Sequence, residues 1–490
     1  MLEMFHRFSP DDVVIIYQKG ELKRWQFQKL VSLLVMRFKQ LQLEPGARVL
    51  IVLPNSLELL VSYYACMAAG LIAVPVNERL AKADISRVFS HAQAMLIISS
   101  PGLSSVMEFS ETFPACRVEC LENLQERLTD GIEAPSLNDR WPDEHEAAIF
   151  YTSGSTGEPK GVVYSHRTLR EYSKMFRTRF DLNESDRSVI CHCLAQNFGF
   201  AQLSVPFLDC GGSIHIVDFG DAGQTAVALA SGVSFLRLVP WFAPGLLEYC
   251  QKHETKAPCL RNIIIGGDRV RKSIFTLCRE VLAVEAAEMF GLVETNTLCV
   301  NPVKATDLKT GSIGLPLPGV ELVIKDKAGQ QLKAGEIGEI WVKTPALMKE
   351  YWRDSKRTES FIRDGWVATG DAGYLDEDGY VWFNARIKNI IIHDGDNVFP
   401  SELEREISHY PAISEVVVVG IPDKVHGECV GAAIVVHPDM ELDMQDFQRF
   451  LKDRLAETKI PDRLLVVNEF PLTKVGKNDR DAVKALLINE

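Results

Sequence analysis

Three runs near the start of the chain, Arg48-Val49-Leu50-Ile51-Val52-Leu53, Leu71-Ile72-Ala73-Val74-Pro75-Val76 and Ala94-Met95-Leu96-Ile97-Ile98, are apolar at nearly every position. A helical stretch from Leu57 to Ala68 separates the first two. A strand with one wet face alternates apolar and polar residues, whereas an unbroken apolar strand must be covered on both faces. Continuous strands joined by helices therefore predict parallel sheets clad by helices, an α/β fold. The middle of the chain repeats the pattern in Ser213-Ile214-His215-Ile216-Val217, Ser234-Phe235-Leu236-Arg237-Leu238-Val239 and Asn262-Ile263-Ile264-Ile265.

From Gly311 onward the character changes. Gly311, Gly314, Pro316, Pro318 and Gly319 punctuate shorter strands such as Glu339-Ile340-Trp341-Val342-Lys343, which predicts a small β-rich subdomain. Beyond Lys388 the pattern is α+β: Ile390-Ile391-Ile392, a helix from Ser401 to His409, strands over 415–419 and 429–436, and a helix over 444–455. A chain of 490 residues exceeds what one core can organise. The expected layout is a large N-terminal domain over 1–387, made of parallel-rich sheets flanked by helices plus the β-rich subdomain, and a small α+β C-terminal domain over 388–490.

The net charge of −13 argues against a nucleic-acid partner, whose phosphates call for a basic face. The apolar region from Ala47 to Val76 is interrupted by Pro54, Asn55 and Glu58, so it is not expected to span a membrane. Met1-Leu2-Glu3-Met4-Phe5-His6-Arg7 lacks the pattern of a signal peptide. Eleven cysteines without C-x-x-C spacing fit a reducing compartment, the cytoplasm. Cys191-His192-Cys193, inside an apolar run, reads as strand alternation rather than as a pair of metal ligands.

Residues 151–162, Tyr-Thr-Ser-Gly-Ser-Thr-Gly-Glu-Pro-Lys-Gly-Val, have the chemistry of a polyphosphate cradle. Gly154, Gly157 and Gly161 let the backbone approach an anion closely, while amides, the hydroxyls of Thr152, Ser153, Ser155 and Thr156, and the ammonium of Lys160 supply donors and charge. A flexible Gly/Ser linker is the plain alternative, but the strand-like Ala147-Ala148-Ile149-Phe150 before it and the rigid Pro159-Lys160 within it argue otherwise. The spacing is not that of a Walker loop, because no hydroxyl residue follows the lysine. The segment resembles the phosphate loop of the adenylate-forming superfamily, which includes acyl-CoA synthetases, aryl-acid ligases, luciferases and peptide-synthetase adenylation domains. That resemblance extends over nearly the whole chain.

It implies ATP and Mg²⁺ as cofactors and assigns roles to particular residues. Gly266-Gly267-Asp268, at the end of a strand, matches a turn lining the adenine and acyl pockets. Glu288-Met289-Phe290-Gly291-Leu292-Val293-Glu294-Thr295 resembles the aromatic-Gly-x-Thr-Glu signature. By that likeness Phe290 stacks on adenine, Glu288 accepts from its amino group and Glu294 holds Mg²⁺. Val293 stands where threonine is usual, and Thr295 is the candidate replacement hydroxyl. Asp371, in Thr369-Gly370-Asp371, matches the carboxylate that accepts both ribose hydroxyls, and Arg386 the arginine that contacts ribose and phosphate. Ala385 replaces the usual glycine before Arg386, and Lys388 falls at the hinge of a mobile C-terminal lid. Pro471-Leu472-Thr473-Lys474-Val475-Gly476-Lys477 resembles the loop that inserts the catalytic lysine, here Lys477, with Lys474 as runner-up.

The implied activity is activation of a carboxylic acid to an acyl-adenylate, followed by transfer to the thiol of coenzyme A. Amino-acid-activating relatives carry an early pocket aspartate; Cys193-Leu194-Ala195-Gln196-Asn197-Phe198-Gly199-Phe200 has no acid, and an unpaired buried ammonium is expensive. Asn197, Phe198, Phe200 and Trp241 suggest an apolar or aromatic acyl pocket with one amide, although such aromatics also suit an ordinary core. Gly395, within Ile392-His393-Asp394-Gly395-Asp396, matches the glycine beside the pantetheine tunnel, but His393 and Asp394 replace small residues. A carrier protein's phosphopantetheine arm is the alternative acceptor. A nucleotide-binding homologue with impaired catalysis is the reading of another class, motivated by Val293, Ala385 and the 393–394 pair.

Overall fold

The apolar runs form strands, and their residues divide between two faces. In a computed structural model, residues 2–101, 116–128, 137, 141–153, 159–268, 270–302, 308–393, 396–423, 427–472 and 478–489 are described. Within Arg48–Val52, Val49 and Ile51 enter one buried cluster while Leu50 and Val52 enter another, as a strand covered on both faces requires. The described residues divide into two compact units, Met1–Glu321 with Lys343–Trp366, and Leu322–Val342 with Val367–Glu490.

The first unit holds two large sheets. One runs in the order Leu315–Pro316, Asn296–Val300, Ala286–Leu292, Asn262–Gly266, Phe235–Leu238, Arg187–Ile190, Ser213–Ile216, Val13–Tyr17 and Gly20–Lys23, parallel from Ala286–Leu292 to Val13–Tyr17. The other runs Glu350–Tyr351, Pro159–Ser165, Glu146–Ser153, Ile72–Val76, Arg48–Val52, Leu96–Ser99 and Arg117–Cys120. Its last five strands are parallel and its first two pairings antiparallel. A single buried cluster joins residues of both sheets, with Tyr63 and Tyr64 of the helix Leu57–Ala69 at its centre. That helix starts where Ser56 Oγ accepts from the Leu59 amide and stops at Gly70, whose φ of 70° closes it. The strand expected through Cys191-His192-Cys193 ends earlier, at Ile190, and the three residues follow it in irregular chain.

In the second unit the strands Gly338–Lys343, Trp366–Leu375 and Val381–Arg386 pair antiparallel, the β-rich subdomain read from the sequence. The α+β segment follows. Gly427–Val436 pairs antiparallel with Ile413–Asp423 and parallel with Arg463–Val466, with helices Pro400–Ile407, Met444–Arg454 and Arg480–Asn489 packed about them. Lys477 lies outside the described residues, but the two sides of its segment are fixed. Leu472 bridges Asn478, the Asp479 amide donates to the Pro471 carbonyl at 2.8 Å, and Asp479 Oδ1 caps the helix by accepting from the Ala482 amide at 3.0 Å. Next in the chain, Arg480 donates to the buried Glu404 carboxylate at 2.7 Å and to the Val418 carbonyl at 2.7 Å. Glu404 also accepts from the Val418 amide at 3.0 Å.

Truncating Glu404 strands an arginine and an amide together. Glu404→Ala is expected to cost about 3 kcal/mol of stability, read as a lower urea midpoint, with Glu404→Gln losing clearly less.

Candidate active site

The glycine-rich segment is flanked by two paired strands. Glu146–Ser153 and Pro159–Ser165 pair down to Thr152 opposite Lys160 and Ser153 opposite Pro159, so the ends of the turn are held in register. Gly154, Ser155, Thr156 and Gly157 lie outside the described residues, as does Gly395. Lys160 at the base reaches Glu294, its Nζ lying 2.5 Å from Oε1. Two residues 134 positions apart in sequence thus form an ion pair that is mostly shielded from water.

A third group joins them that the sequence did not point to. The strand Glu350–Tyr351 pairs antiparallel with Pro159–Ser165, placing Tyr351 opposite Val162. Its hydroxyl donates to the same Glu294 oxygen at 2.8 Å, and the Lys160 ammonium lies 4.3 Å from its ring centre. Burial first, and then the Glu294 charge, push the Tyr351 phenol well above its ordinary range, so it stays a neutral donor. No local motif marks Tyr351; only the strand pairing brings it here. The Glu294 main chain is also fixed, its carbonyl accepting from the Met348 amide at 2.8 Å.

Glu294 stands in the tight connection between Ala286–Leu292 and Asn296–Val300. The two strands approach so closely at Gly291 that a Cβ there would lie 2.1 Å from the Asn296 carbonyl oxygen. Glycine is therefore required for the turn that presents Glu294. Gly266 is under a like constraint, since a Cβ would fall 2.4 Å from Met289 Cγ. Strand alternation leaves Glu288 and Phe290 part-exposed on one face and buries Met289 on the other. Gly267 and Asp268, both exposed, follow at the carboxyl end of the neighbouring strand, the end at which open parallel sheets bind ligands.

Three expectations meet a different geometry. Thr295 is fully buried, and its hydroxyl accepts from the Leu292 amide at 3.3 Å, so it is committed to the turn and offers no hydroxyl in place of the one absent at Val293. Phe200 is a core ring, stacked on Tyr63 with centroids 3.7 Å apart and edge-on to Tyr64. Trp241 is 45% exposed and packs against Phe219, a surface position. Asn197 and Phe198 do stand together. Asn197 Nδ2 donates to the Tyr164 hydroxyl at 3.2 Å, and that hydroxyl in turn donates to the Val293 carbonyl, tying Asn197 to the Glu294 turn.

The second unit carries Asp371 and Arg386 on paired strands, opposite each other in register. Asp371 is fully buried. Arg386 Nε lies 2.9 Å from Oδ1 but off the direction of a hydrogen bond, and neither carboxylate oxygen has a hydrogen-bond donor among the described residues. Two orphaned acceptors on one buried carboxylate are what a vicinal diol would satisfy. Burial pushes the Asp371 carboxyl up to about 6, against the opposing effect of Arg386 and with a smaller push from Glu339. Ala385 pairs with Ala372 in ordinary extended conformation, so glycine's freedom is not needed there. His393 is buried with Nδ1 2.8 Å from the Glu428 carbonyl, a structural contact within the sheet. Lys388 lies in a short 3₁₀ turn, Ile387–Asn389, directly after the strand that ends at Arg386.

The sequence profile of the AMP-binding enzyme family matches residues 3–352, and that of the AMP-binding enzyme C-terminal domain matches residues 402–477. The chain is similar to a fatty acid–[acyl-carrier-protein] ligase, ScoC, of Streptomyces coeruleorubidus, 30% identical over 96% of this chain and 93% of the relative. It is 28% identical to a feruloyl-CoA synthase of an Amycolatopsis species, over 96% of this chain and 95% of that one. Among solved structures, ATP-bound MatB from Rhodopseudomonas palustris superposes with a TM-score of 0.91 at 27% identity, covering 99% of this chain and 98% of that one.

Two outcomes follow from this geometry. If Glu294 holds Mg²⁺, as the resemblance implies, Tyr351→Phe should raise the Mg²⁺ concentration needed for half-saturation of ATP binding about tenfold, measured by calorimetric titration, because the carboxylate loses an orienting donor. Because the folded Asp371 carboxyl is raised above its unfolded value, its contribution favours the fold below about pH 4 and is lost as the pH rises through about 6. Asp371→Asn should therefore be more stable than the parent at pH 8, by up to about 3 kcal/mol in denaturant unfolding, and show no such gain at pH 4.

Proposed function

Because the chain belongs to the AMP-binding enzyme family, whose members form adenylates, we propose that it activates an apolar or aryl carboxylic acid with ATP and passes the acyl group to a phosphopantetheine thiol, that of coenzyme A. The observation that carries this reading is the Glu294 carboxylate, held by Lys160 and Tyr351 at the base of the glycine-rich turn. A buried acid paired with a lysine and a tyrosine hydroxyl suits a metal-bound polyphosphate. Mg²⁺ on Glu294 and phosphate oxygens would neutralise charge on the departing pyrophosphate.

In the first step a carboxylate oxygen of the acid attacks the α-phosphorus of ATP. The bond from that phosphorus to the bridging oxygen breaks, and pyrophosphate leaves with the electron pair. Both reactants are anionic, and two unit charges at 4 Å repel by about 4 kcal/mol at an effective dielectric of 20. Lys477 is assigned to the space between them, where an ammonium offsets the repulsion and stabilises the charge that builds up in the transition state. Glu294 is the residue that would hold Mg²⁺, and Lys160, which pairs with it here, would then be free to face the β- and γ-phosphates. Glu288 and Phe290 hold the adenine. Asp371 accepts from the ribose hydroxyls, which supply the donors its oxygens lack.

In the second step a thiol attacks the acyl carbon, the bond from that carbon to the phosphate oxygen breaks, AMP leaves and the thiol proton passes to solvent. One small domain serves both steps by turning about Lys388, presenting the Lys477 loop first and the Gly395 loop second. A carrier protein's phosphopantetheine arm offers the same thiol, and the carrier-protein ligase named above favours it as the second reading.

Pyrophosphate exchange into ATP across a panel of carboxylic acids tests adenylation. Lys477→Ala is expected to lower that exchange by about 10²–10³ while sparing thiolysis of a supplied acyl-adenylate. Equal loss in both assays would remove the turning domain from the mechanism.

A further inference from the structure

Arg237 interrupts the apolar strand Phe235–Leu238 and is fully buried. Leu236 and Leu238 face the outer core of their sheet, and Phe235 faces the layer shared by the two sheets. Alternation puts Arg237 on the Phe235 side. There its Nη1 donates to the Gln202 carbonyl at 3.0 Å, and its Nη2 donates to Gln202 Oε1 at 2.5 Å and Thr297 Oγ1 at 3.1 Å. All of these acceptors are neutral. Among the described residues no carboxylate pairs with the guanidinium, and Nε has no acceptor.

A buried cation without an anion is costly, and a site that needed only packing would be better served by an apolar residue of similar volume. Burial lowers the Arg237 pKa, but a guanidinium is not deprotonated in a protein, so the charge stays. Over the guanidinium lies Phe198, its ring centre 4.0 Å away, part-exposed and next to Asn197 of the expected acyl pocket. Against the same ring, centroids 4.6 Å apart, lies His192, buried, with Nε2 also lacking a partner. Burial first, and then the Arg237 charge, hold His192 down at about 3, so it stays neutral and can add a hydrogen bond to an incoming group.

We propose that Arg237 is a specificity residue that pairs with a second anionic group at the far end of the acid, so that the preferred substrates are dicarboxylic acids. The assignment rests on the adenylation reading above. Rotation of the Phe198 ring uncovers the guanidinium, and the second carboxylate accepts from the free Nε–H. The remaining carboxylate is the one activated. In a chain of net charge −13, a dianion needs such a local cation to be held at all.

The test uses the full-length protein in the pyrophosphate exchange assay, with straight-chain diacids from malonate to sebacate, benzene dicarboxylates and phenylenediacetates, each beside its monomethyl ester. For the best diacid, kcat/KM should exceed that of its ester at least about tenfold. In Arg237→Met that ratio should collapse at least about tenfold, and Arg237→Lys should retain part of it. Esters or monoacids serving as well as the best diacid would overturn the assignment and leave adenylation standing, as would a diacid preference that survives in Arg237→Met. Exchange with no acid at all would overturn adenylation and the assignment with it. If Arg237→Met lacks a cooperative melt, the parent ratio and the Arg237→Lys variant decide.

Discussion

A strand buried on both faces can offer chemistry only at its ends. That constraint governs the first unit, where two sheets share one buried layer and each has a further apolar cover. Lys160 lies next to a hairpin tip, Glu294 in a connection between strands, and Gly267 and Asp268 past the end of a strand. Arg237 is the exception, a charge in the middle of a strand and inside the shared layer. An exception of that kind is expensive enough to need a reason, and the proposed pairing with an anionic substrate group would supply one.

Electrostatics in this protein is local. The chain is acidic overall, yet Lys160 and Arg237 place cations at buried or half-buried positions inside the first unit. Lys160 and Glu294 neutralise each other, and Tyr351 adds a hydrogen bond to the same carboxylate oxygen, which keeps both charges in place at little cost. Among the described residues Asp371 has no hydrogen-bond donor: Arg386 is close but misaligned, so its charge only partly offsets burial and the pKa still rises. The two carboxylates illustrate two ways to hold an acid ready, one by paired donors and the other by their absence.

Much of this was legible beforehand. The continuous runs gave the parallel strands because burial on both faces leaves no room for alternation, and glycine-rich stretches marked the turns because only glycine tolerates such close approach, as at Gly266 and Gly291. Tyr351 was not legible, being 57 positions from Glu294 and joined to it only by strand pairing. The bond from Arg480 to Glu404, across 76 positions, was hidden for the same reason. Phe200 and Trp241 looked alike as pocket aromatics, yet one became a stacked core ring and the other a surface ring. Composition cannot separate those outcomes.

The sequence by itself determined the fold class, the order of strands and turns along the chain, and the chemistry of each short motif, since these depend on neighbours a few residues apart. Tertiary structure decided which motifs meet. It placed Lys160 and Tyr351 on one oxygen of Glu294, turned the Thr295 hydroxyl inward, and left Arg237 without a counter-ion among the described residues, because contacts between distant segments are set by sheet register and by what the cores can bury.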